Sequence, residues 1–458
     1  MKDIIRNYFD EHKDEMLGCI AELVAIPSVR GEAVDGKPFG EMPFKALESA
    51  LKMAENFGFK TKNHDGYVGT VDISDGEPEL GILAHLDVVP AGEGWHTDPF
   101  KMTVDSDRIL GRGVSDDKGP AICALFAMKA VKDLQLPISK NCRLILGTDE
   151  ECGSSDIAHY FKTAKPAKYT FTPDANFPVT NGEKGRFTKH FYGSFDLSSE
   201  TKRIVSINAG VAANAVPSFA EAVVSGVSTD EINNAIALSE NTGADFTVYG
   251  EKIICSGTSA HASLPENGNN PITALFEMLS HIKFGDRTNE FIASIVKLFP
   301  HGKYNGEAFD VDMSDKLGRL TLTLDIVNFD GKNFEGCFDT RTPMSATKEN
   351  CAEKIKAELE RYGFKIENTD MIKPHYVDEK SDFVQSLLSA YEEYSGDKGE
   401  CISMGGGTYV HNIDSGVAFG AIGRDTQTNM HGADEFMPIN DLLTAAEIFT
   451  QVIADVCK

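Results

Sequence analysis

Short apolar runs and helical patterns alternate along the first 185 residues of the chain. The run from Ile82 to Ala84 follows the polar segment 76–79, and runs of this kind predict strands buried on both faces of a parallel sheet. The segment GPAICALFAMKAVKDL, residues 119–134, has mixed apolar spacing and places Pro120 in its first turn, as is typical of a helix start. This alternation predicts an α/β sheet.

The pattern changes twice along the chain, which indicates an inserted domain. Strand-rich sequence such as RLTLTLDIVNF, interrupted by helical patches, begins at about residue 185. From about residue 381, a helical pattern and the strand-like run GVAFGAIG restore the alternation seen in the first 185 residues. We therefore predict a discontinuous α/β domain formed by residues 1–185 and 381–458, with an α+β domain inserted at residues 186–380.

Length, charge and cysteine usage limit the classes of protein and partner. A chain of 458 residues exceeds what one hydrophobic core usually supports, so two domains are expected. Its formal net charge of -26 repels phosphate backbones and anionic lipids, and we expect neither nucleic acid nor membrane partners. The amino-terminal segment mixes charges through its apolar positions, unlike a signal peptide or a membrane anchor. Nine scattered cysteines without a C-x-x-C pair favour reduced thiols in the cytoplasm.

Polar side chains follow several of the apolar runs, and most of these side chains are acidic. The candidates are His85, Asp87, Asp116, Asp117, Glu150, Glu151, Asp174 and His431. We expect each to lie at a strand end, where ligands collect in open α/β sheets. So many carboxylates cannot share one dry site without cations, because like charges at contact distance would otherwise hold protons. A pair of divalent metal ions satisfies this requirement.

Each of these residues also has a purely structural interpretation when taken alone. Residues two apart on a strand point to the same side, so Asp87 could orient the ring of His85, or both could face one ion. The same pair could equally be a histidine held by a neighbouring carboxylate. A glutamate pair is usually a solvated surface, and a lone histidine such as His431 is more often packed or exposed than a ligand.

A set of motifs that falls in order along nearly the whole chain resembles a known family. The motifs are AHLDVVPAGEGWHTDPF, GRGVSDDKGP, GTDEE, TPDANFPV, SGTSAHAS, DTRTP and MHGADEF. They resemble the M20 family of di-metal aminoacylases and peptidases, and within it the PepV-type branch of Xaa-His or carnosinase-like dipeptidases. The resemblance implies a phosphorylase/hydrolase-like α/β catalytic domain, with the inserted α+β domain acting as an enlarged lid.

The resemblance implies two divalent metal ions, Zn²⁺ or Mn²⁺ or else Co²⁺, and a role for each ligand. The ligand set would be His85, Asp116, Glu151, Asp174 and His431. Asp116 would bridge both ions, with His85 and Asp174 completing one site, and Glu151 and His431 the other. Asp87 would orient His85, and Glu150 would be the general base. Asp117 follows the bridging residue and is expected to act as a carboxylate at a helix start.

Substrate contacts are implied in the lid and in a glycine-rich stretch. The lid histidine of the family matches His261 and would stabilise the developing oxyanion together with Asn214. Arg341 in DTRTP would bind the substrate carboxylate, because a guanidinium presents a planar fork to two oxygens; the alternative is a surface ion pair with Asp339. In SMGGGTYVHN, the further candidates for binding a peptide carboxylate are Gly406, Gly407 and Thr408.

The function implied is hydrolysis of short free dipeptides by a hydroxide held between two metals, with a glutamate base. The alternative within enzymes is an N-acyl amino acid deacylase of the acetylornithine or succinyl-diaminopimelate type, which uses the same metal site. A dipeptidase has to bind a free α-amino group, for which Asp117 or Asp149 are candidates. A binding protein without catalysis would have lost Glu150 or a ligand, and none is lost. The enlarged lid implies a monomer, with His261 acting in its own chain on a small peptide substrate.

Overall fold

A computed structural model describes residues 1–458, which form two compact units. The first unit comprises residues 1–182, 376–402 and 407–458, and the second comprises residues 183–375 and 403–406. The predicted combination of an α/β part with an α+β part is confirmed. The short segment Ser403–Gly406, which the sequence pattern assigns to the first part, belongs instead to the second unit.

Ten α-helices lie along the chain, six of them in the first unit. They are α1 (Lys2–Val24), α2 (Glu41–Asn56), α3 (Lys118–Asp133), α4 (Ser155–Tyr160), α5 (Thr229–Leu238), α6 (Pro271–Ser280), α7 (Asp286–Leu298), α8 (Glu353–Arg361), α9 (Asp382–Ser395) and α10 (Ile439–Val456). Short 3₁₀ turns include Glu150–Cys152 and Tyr409–Asn412. None of the ten helices combines the length and the apolar character that crossing a membrane requires.

The first unit is built on one mixed sheet. Its strands and the small pairs beside it are β1 (Lys60–His64), β2 (Val68–Asp72), β3 (Pro78–His85), β4 (Thr103–Asp105), β5 (Arg108–Leu110), β6 (Asn141–Gly147), β7 (Tyr169–Thr172), β8 (Ala175–Asn176) and β9 (Val179–Glu183). The sheet runs in the order β1-β2-β6-β3-β7, followed by a later strand (Gly416–Phe419) and then β9. Strand β3 runs parallel to both β6 and β7, so the carboxyl ends of these three strands meet at one edge.

Strand β3 has the burial that its apolar run predicts. Every residue of β3 except Glu79 is buried, because helices cover the sheet. Helix α3 begins directly after the Asp116–Asp117 pair, has Pro120 in its first turn, and packs against α1 and α10. The apolar core of the first unit therefore lies beneath the sheet edge that carries the candidate residues.

The second unit contains a long antiparallel sheet with its own core. The strands of this sheet and the small pairs beside it are β10 (Gly185–Arg186), β11 (Lys189–Ser194), β12 (Arg203–Ala209), β13 (Ala215–Val216), β14 (Phe219–Ser225), β15 (Asp245–Tyr249), β16 (Lys252–Ser256), β17 (Ala260–His261), β18 (Ser314–Asp315), β19 (Gly318–Arg319), β20 (Thr321–Phe329), β21 (Asn333–Thr342) and β22 (Lys365–Ile366). The next strand, β23 (His375–Tyr376), lies beside β9 at the end of the first unit's sheet. The order of the antiparallel sheet is β15-β16-β14-β12-β20-β21-β11-β22. Helices α6 and α7 pack with this sheet around a phenylalanine-rich core.

The last strands of the chain complete the sheets of the first unit. They are β24 (Cys401–Met404), β25 (Gly416–Phe419), β26 (Ala421–Ile422) and β27 (Phe436–Pro438). Strand β25 pairs in parallel with β7, so the returning segment extends the parallel part of the sheet. Strand β27 pairs with β5, which brings the loop before β27 back to the residues around Gly111.

Candidate active site

The edge formed by the carboxyl ends of β3, β6 and β7 collects three groups of the predicted residues. His85 is the last residue of β3. Glu150 and Glu151 lie in the 3₁₀ turn that follows β6, and Asp174 follows the end of β7. The parallel register of these strands therefore brings together side chains that are far apart in sequence.

Asp116 and His431 lie on loops and Asp117 is the N-cap of α3, so the prediction that every candidate occupies a strand end is wrong for these three. Asp116 precedes the start of α3, and His431 lies in the loop between β26 and β27. Both loops nevertheless bring their side chains to the same edge of the sheet. The hydrogen bonds of a sheet do not hold a loop residue in position, so other contacts have to do so.

Asp116 stands between two histidines and offers one carboxylate oxygen to each. Its Oδ1 lies 2.9 Å from Nε2 of His85, and its Oδ2 lies 2.8 Å from Nε2 of His431. Nε2 of His85 also lies 3.8 Å from Oδ2 of Asp174, and Nε2 of His431 lies 3.2 Å from Oε1 of Glu151. We call His85, Asp116 and Asp174 the His85 group, and Asp116, Glu151 and His431 the His431 group.

Each group has the composition of a metal site. Within each group, one donor atom from each residue lies within 4.8 Å of the others. The donors are imidazole nitrogens and carboxylate oxygens without sulfur, a set that suits Zn²⁺, Mn²⁺ or Co²⁺. Asp116 belongs to both groups, so the residues present fit two divalent ions held side by side.

The pKa values of these side chains show an excess of buried negative charge. Burial, together with the charge of Asp116, raises the pKa of Asp174 to about 7. Burial also raises the pKa of Glu150 well above its usual value, against the opposing charge of His85. Hydrogen bonds with Asp116 and Glu151 raise the pKa of His431 to about 10. Divalent cations at the two groups would balance this negative charge.

Asp87 connects His85 to the turn that carries the two glutamates. The backbone carbonyl of Asp87 lies 3.0 Å from Nδ1 of His85, and its Oδ1 lies 3.4 Å from the same nitrogen. Its two carboxylate oxygens accept hydrogen bonds from the backbone N–H groups of Glu150 and Glu151, at 3.2 and 3.1 Å. One buried residue therefore contacts the ring of His85 mainly through its backbone carbonyl and holds the Glu150–Cys152 turn through its carboxylate.

Asp117 and Lys118, at the start of α3, have buried side chains that bind backbone groups of neighbouring segments. Asp117 makes no side-chain cap on the helix, and its Oδ2 instead accepts a hydrogen bond of 3.0 Å from the backbone N–H of His85. Asp117 therefore stands at the start of α3 and belongs to neither metal group, as predicted, but its carboxylate binds the backbone of His85 and not the N–H groups of the helix. The buried Lys118 donates from Nζ to the carbonyl of Leu23 in the last turn of α1, at 2.9 Å, and to the carbonyl of Ile26 just beyond that helix, at 2.7 Å. Burial lowers the pKa of Lys118 to about 7.

Four of the predicted substrate contacts lie close together in the second unit. Strands β13 and β17 pair so that Ala215, the residue after Asn214, faces His261. Both Asn214 and His261 are exposed. Nδ1 of His261 lies 2.7 Å from the hydroxyl of Ser263, which in turn contacts the backbone at Gly405 so closely that a side chain at Gly405 would collide with it.

Arg341 links this cluster to the glycine-rich stretch. Its Nε and Nη2 donate to Asp339 at 2.6 and 3.2 Å, and its Nη1 donates to the carbonyl of Gly405 at 2.5 Å. Gly406 follows directly in the same unit. The ion pair with Asp339 that the alternative expects is present, but it is buried and does not lie at the surface. Asp339 thus binds the side of the guanidinium formed by Nε and Nη2.

Gly407 and Thr408 belong to the first unit, together with the 3₁₀ turn that follows them. Gly407 is exposed and Thr408 is half-buried. The next residue, Tyr409, is buried, and its hydroxyl donates to Oδ2 of Asp156 at 2.5 Å. Oδ2 of Asp156 also accepts from the backbone N–H groups of Thr148 and Asp149, so Tyr409 buttresses the segment that leads into the glutamate turn.

Comparison with known proteins adds the decisive observation. The model for "Peptidase family M20/M25/M40" matches residues 81–455, which include all five predicted metal ligands. The chain belongs to this peptidase family. The predicted family and the predicted metallopeptidase class are thereby confirmed.

Relatives of this M20 peptidase match it along nearly its whole length. A Bacillus subtilis protein named "Putative dipeptidase YtjP" is 35% identical over 457 residues, covering 97% of this chain and 98% of its own. Human carnosine dipeptidase 1 has a similar fold, with a TM-score of 0.60 at 16% identity over 100% of this chain and 98% of its own. Aminoacylhistidine dipeptidase from Vibrio alginolyticus has a TM-score of 0.58 at 13% identity, with 96% of each chain covered. The predicted fold class is confirmed.

Neither of the two carboxylates expected to bind a free amine is available for that role in the M20 peptidase. Asp117 and Asp149 are both fully buried. Asp117 accepts from the backbone of His85, and Asp149 is bonded to Ser155 and ion-paired with Arg30. The prediction that one of them binds the α-amino group of a dipeptide is therefore wrong, because both are part of the support beneath the site.

Sequence reasoning missed one pair of residues that the M20 peptidase places directly behind the metal ligands. Arg112 and Glu435 form an ion pair with both side chains buried, joined between Nη1 and Oε2 at 2.6 Å. The arginine lies in GRGVSDDKGP and the glutamate in MHGADEF, the two motifs that also carry Asp116 and His431. The sequence offered one signal for this pair: one of the two motifs contains an arginine and the other a glutamate, and these opposite charges could pair.

Asp325 in the second unit gives a prediction about stability. Its side chain is fully buried on β20, Thr323 donates to its Oδ2 at 2.9 Å, and its Oδ1 has no hydrogen-bond partner. Burial raises the pKa of Asp325 to about 8. The folded protein therefore keeps a proton there that the unfolded chain releases near pH 4, so stability falls as pH rises from about 4 to about 8.

We expect Asp325→Asn to raise the midpoint of thermal unfolding by a few degrees at pH 9 and to leave it nearly unchanged at pH 4.5. The amide keeps an oxygen for Thr323 but cannot ionise. Thermal unfolding followed by circular dichroism at both pH values measures the effect, with Asp245→Asn at an exposed position as the control. An equal shift at the two pH values would show that ionisation of Asp325 is not the cause.

Proposed function

We propose that this M20 peptidase is a dipeptidase that hydrolyses short free dipeptides at a two-metal centre. The observation that carries the proposal is the position of Asp116, whose two oxygens face two separate pairs of an imidazole and a carboxylate. The choice of substrate class is supported by the Bacillus relative, whose name is that of a dipeptidase and which matches 97% of the chain.

Divalent cations at these two groups would polarise the peptide carbonyl and make a water molecule more acidic near neutral pH. The carboxylate of Glu150 would take up a proton from the attacking water and return it to the leaving amine. Its backbone N–H is tied to Asp87, so the base is held in a fixed position relative to His85.

The predicted substrate contacts would bind the carbonyl that is attacked and the carboxylate of the peptide. His261 and Asn214 would donate to the oxygen on which negative charge develops. Arg341 would bind the substrate carboxylate through the N–H groups of Nη1 and Nη2 that Asp339 and Gly405 do not use. Backbone N–H groups at Gly406 and Gly407 and the hydroxyl of Thr408 would complete the binding of that carboxylate.

Three finer assignments belong to the same proposal. The sulfur-free donor set supports Zn²⁺, Mn²⁺ or Co²⁺, and general affinity order favours Zn²⁺ over Mn²⁺. All nine cysteines are free thiols, which supports a cytoplasmic location. The size of the second unit, residues 183–375, supports a monomer in which His261 acts in its own chain.

The experiment that tests the substrate class is hydrolysis of a panel of free dipeptides, tripeptides and N-acyl amino acids. Protein stripped with a chelator is refilled separately with Zn²⁺, Mn²⁺ or Co²⁺, and unrefilled protein is the control. We expect cleavage of dipeptides with at least one of the metals and no cleavage without metal. Turnover confined to N-acyl amino acids would instead assign the protein to the deacylases and contradict the dipeptidase proposal.

A further inference from the structure

We propose that Arg112 and Glu435 are positioning residues for the metal centre, and that Arg112 sets the metal affinity of the His431 group alone. This inference rests on the proposed two-metal function. Neither residue is among the predicted ligands, and neither contacts a ligand side chain. Their effect would be transmitted through the backbone of the two loops that carry Asp116 and His431.

Glu435 fastens the loop that ends at Asp116. Its Oε1 accepts hydrogen bonds from the backbone N–H and the hydroxyl of Ser115, at 3.0 and 2.9 Å. Both of its carboxylate oxygens also lie 3.1 Å from the backbone N–H of Gly113. Ser115 is the residue immediately before Asp116, so the carboxylate of Glu435 fixes the approach of the shared ligand to both metal groups.

Arg112 fastens the loop that carries His431. Its Nη2 donates to the carbonyl of Gly432 at 3.0 Å and to the carbonyl of Ala91 at 3.2 Å. Gly432 is the residue immediately after His431. The guanidinium also lies over the ring of Trp95, with 5.2 Å between its carbon and the ring centroid. Arg112 thus joins the His431 loop to the segment around residues 91–95.

The His431 loop needs such a restraint more than the strand that carries His85 does. His431 has a positive φ of 62°, and Asn429 and Asp434 in the same loop have φ values of 55° and 54°. Residues other than glycine rarely adopt this left-handed conformation, and it persists only where the surroundings hold it. The side chain of His431 is 53% exposed, whereas that of His85 is 1% exposed. Packing therefore fixes His85, while backbone contacts have to fix His431.

The energetics of the ion pair support a positioning role. Buried ion pairs add little net stability, because removing both charges from water costs about as much as their attraction returns. Arg112 and Glu435 between them bind backbone groups on three segments around the centre, which makes the pair a geometric link. A lysine at position 112 would keep the positive charge that faces Glu435 but lose the planar fork, and with it the second contact, to the carbonyl of Gly432.

The test is the metal affinity of Arg112→Lys in the full chain. Zn²⁺ is titrated into chelator-stripped protein in competition with a chromophoric zinc indicator, which resolves the two binding steps without any assay of activity. We expect the affinity of one step to fall by about 10- to 100-fold and that of the other to stay as in wild type. His431→Ala and Asp174→Asn serve as references for the loss of each group, and Arg112→Lys should reproduce the pattern of His431→Ala in a weaker form.

Two further variants keep the result decisive. Arg143→Lys breaks another arginine–carboxylate pair, with Asp72 at 2.8 Å, and should leave both affinities unchanged. Glu435→Gln keeps the shape of the side chain but has fewer acceptor sites for the N–H groups of the Asp116 loop, so both metal affinities should fall. This variant tests the pair independently if Arg112→Lys does not fold. Wild-type affinity in Arg112→Lys, or an equal loss at both steps, would overturn the assignment to Arg112. Wild-type protein that binds two Zn²⁺ ions but cleaves no dipeptide would instead contradict the proposed function.

Discussion

Replacing Glu150 with glutamine should lower kcat for dipeptide hydrolysis by about a thousandfold while both metal ions stay bound. The amide has nearly the shape of the carboxylate but cannot accept a proton from the attacking water. Glu150 is absent from both metal-binding groups, so its neutralisation removes no ligand. Steady-state hydrolysis and metal content of the same preparation measure the two parts of the expectation.

The control for this variant is Glu11→Gln, which makes the same chemical change at an exposed position of α1. It should leave both turnover and metal content as in wild type. Near wild-type turnover in Glu150→Gln would rule out Glu150 as the base. Loss of metal from that variant would show that Glu150 takes part in holding the ions.

Replacing Asp116 with asparagine should have the largest effect on metal content, because one side chain serves both groups. Asparagine has a single carbonyl oxygen, and its amide nitrogen does not coordinate metal. The oxygen can face His85 or His431 but not both, since these imidazoles lie against different oxygens of Asp116. We expect affinity for both Zn²⁺ ions to fall, for at least one of them by more than about 100-fold, with loss of dipeptide hydrolysis.

The comparison variant is Asp174→Asn, which alters the His85 group only. It should weaken one binding step and leave the other measurable, whereas Asp116→Asn should affect both. Asp14→Asn, at an exposed position of α1, makes the same change where no metal ligand lies and should have no effect. Two bound Zn²⁺ ions of wild-type affinity in Asp116→Asn would show that this carboxylate is not shared.

The parts of the site that follow from local pattern could be predicted from the sequence. The apolar run before His85 predicts a buried strand, and the structure has β3 end at this residue. The acidic residues after β6 and β7 come to the same edge because parallel strands align their carboxyl ends. The position of these strands and of their ends follows from the periodicity of apolar residues within each segment, so the local sequence is sufficient to predict it.

The parts that depend on contacts between distant segments could not be predicted in this way. Asp117 immediately precedes a helix, yet its carboxylate turns inward to the backbone of His85. Arg341 and Asp339 are two residues apart, a spacing compatible with a surface pair, but the sheet buries both. Glu435 contacts Ser115 across 320 residues of chain. A sequence pattern shows the charge of such residues, but the fold determines which groups they meet.

The contact between Lys118 and the end of α1 bears on how such an enzyme can vary. The family match begins at residue 81, so helix α1 lies outside it and contributes none of the predicted chemistry. The buried ammonium of Lys118, close behind the shared metal ligand, nevertheless depends on the carbonyls of Leu23 and Ile26. Because the acceptors are main-chain oxygens, many different amino-acid sequences could form this helix, provided that it ended at the same place. As sequences of such enzymes diverge, the course of the backbone at the end of this helix has to be kept, whereas its side chains can change.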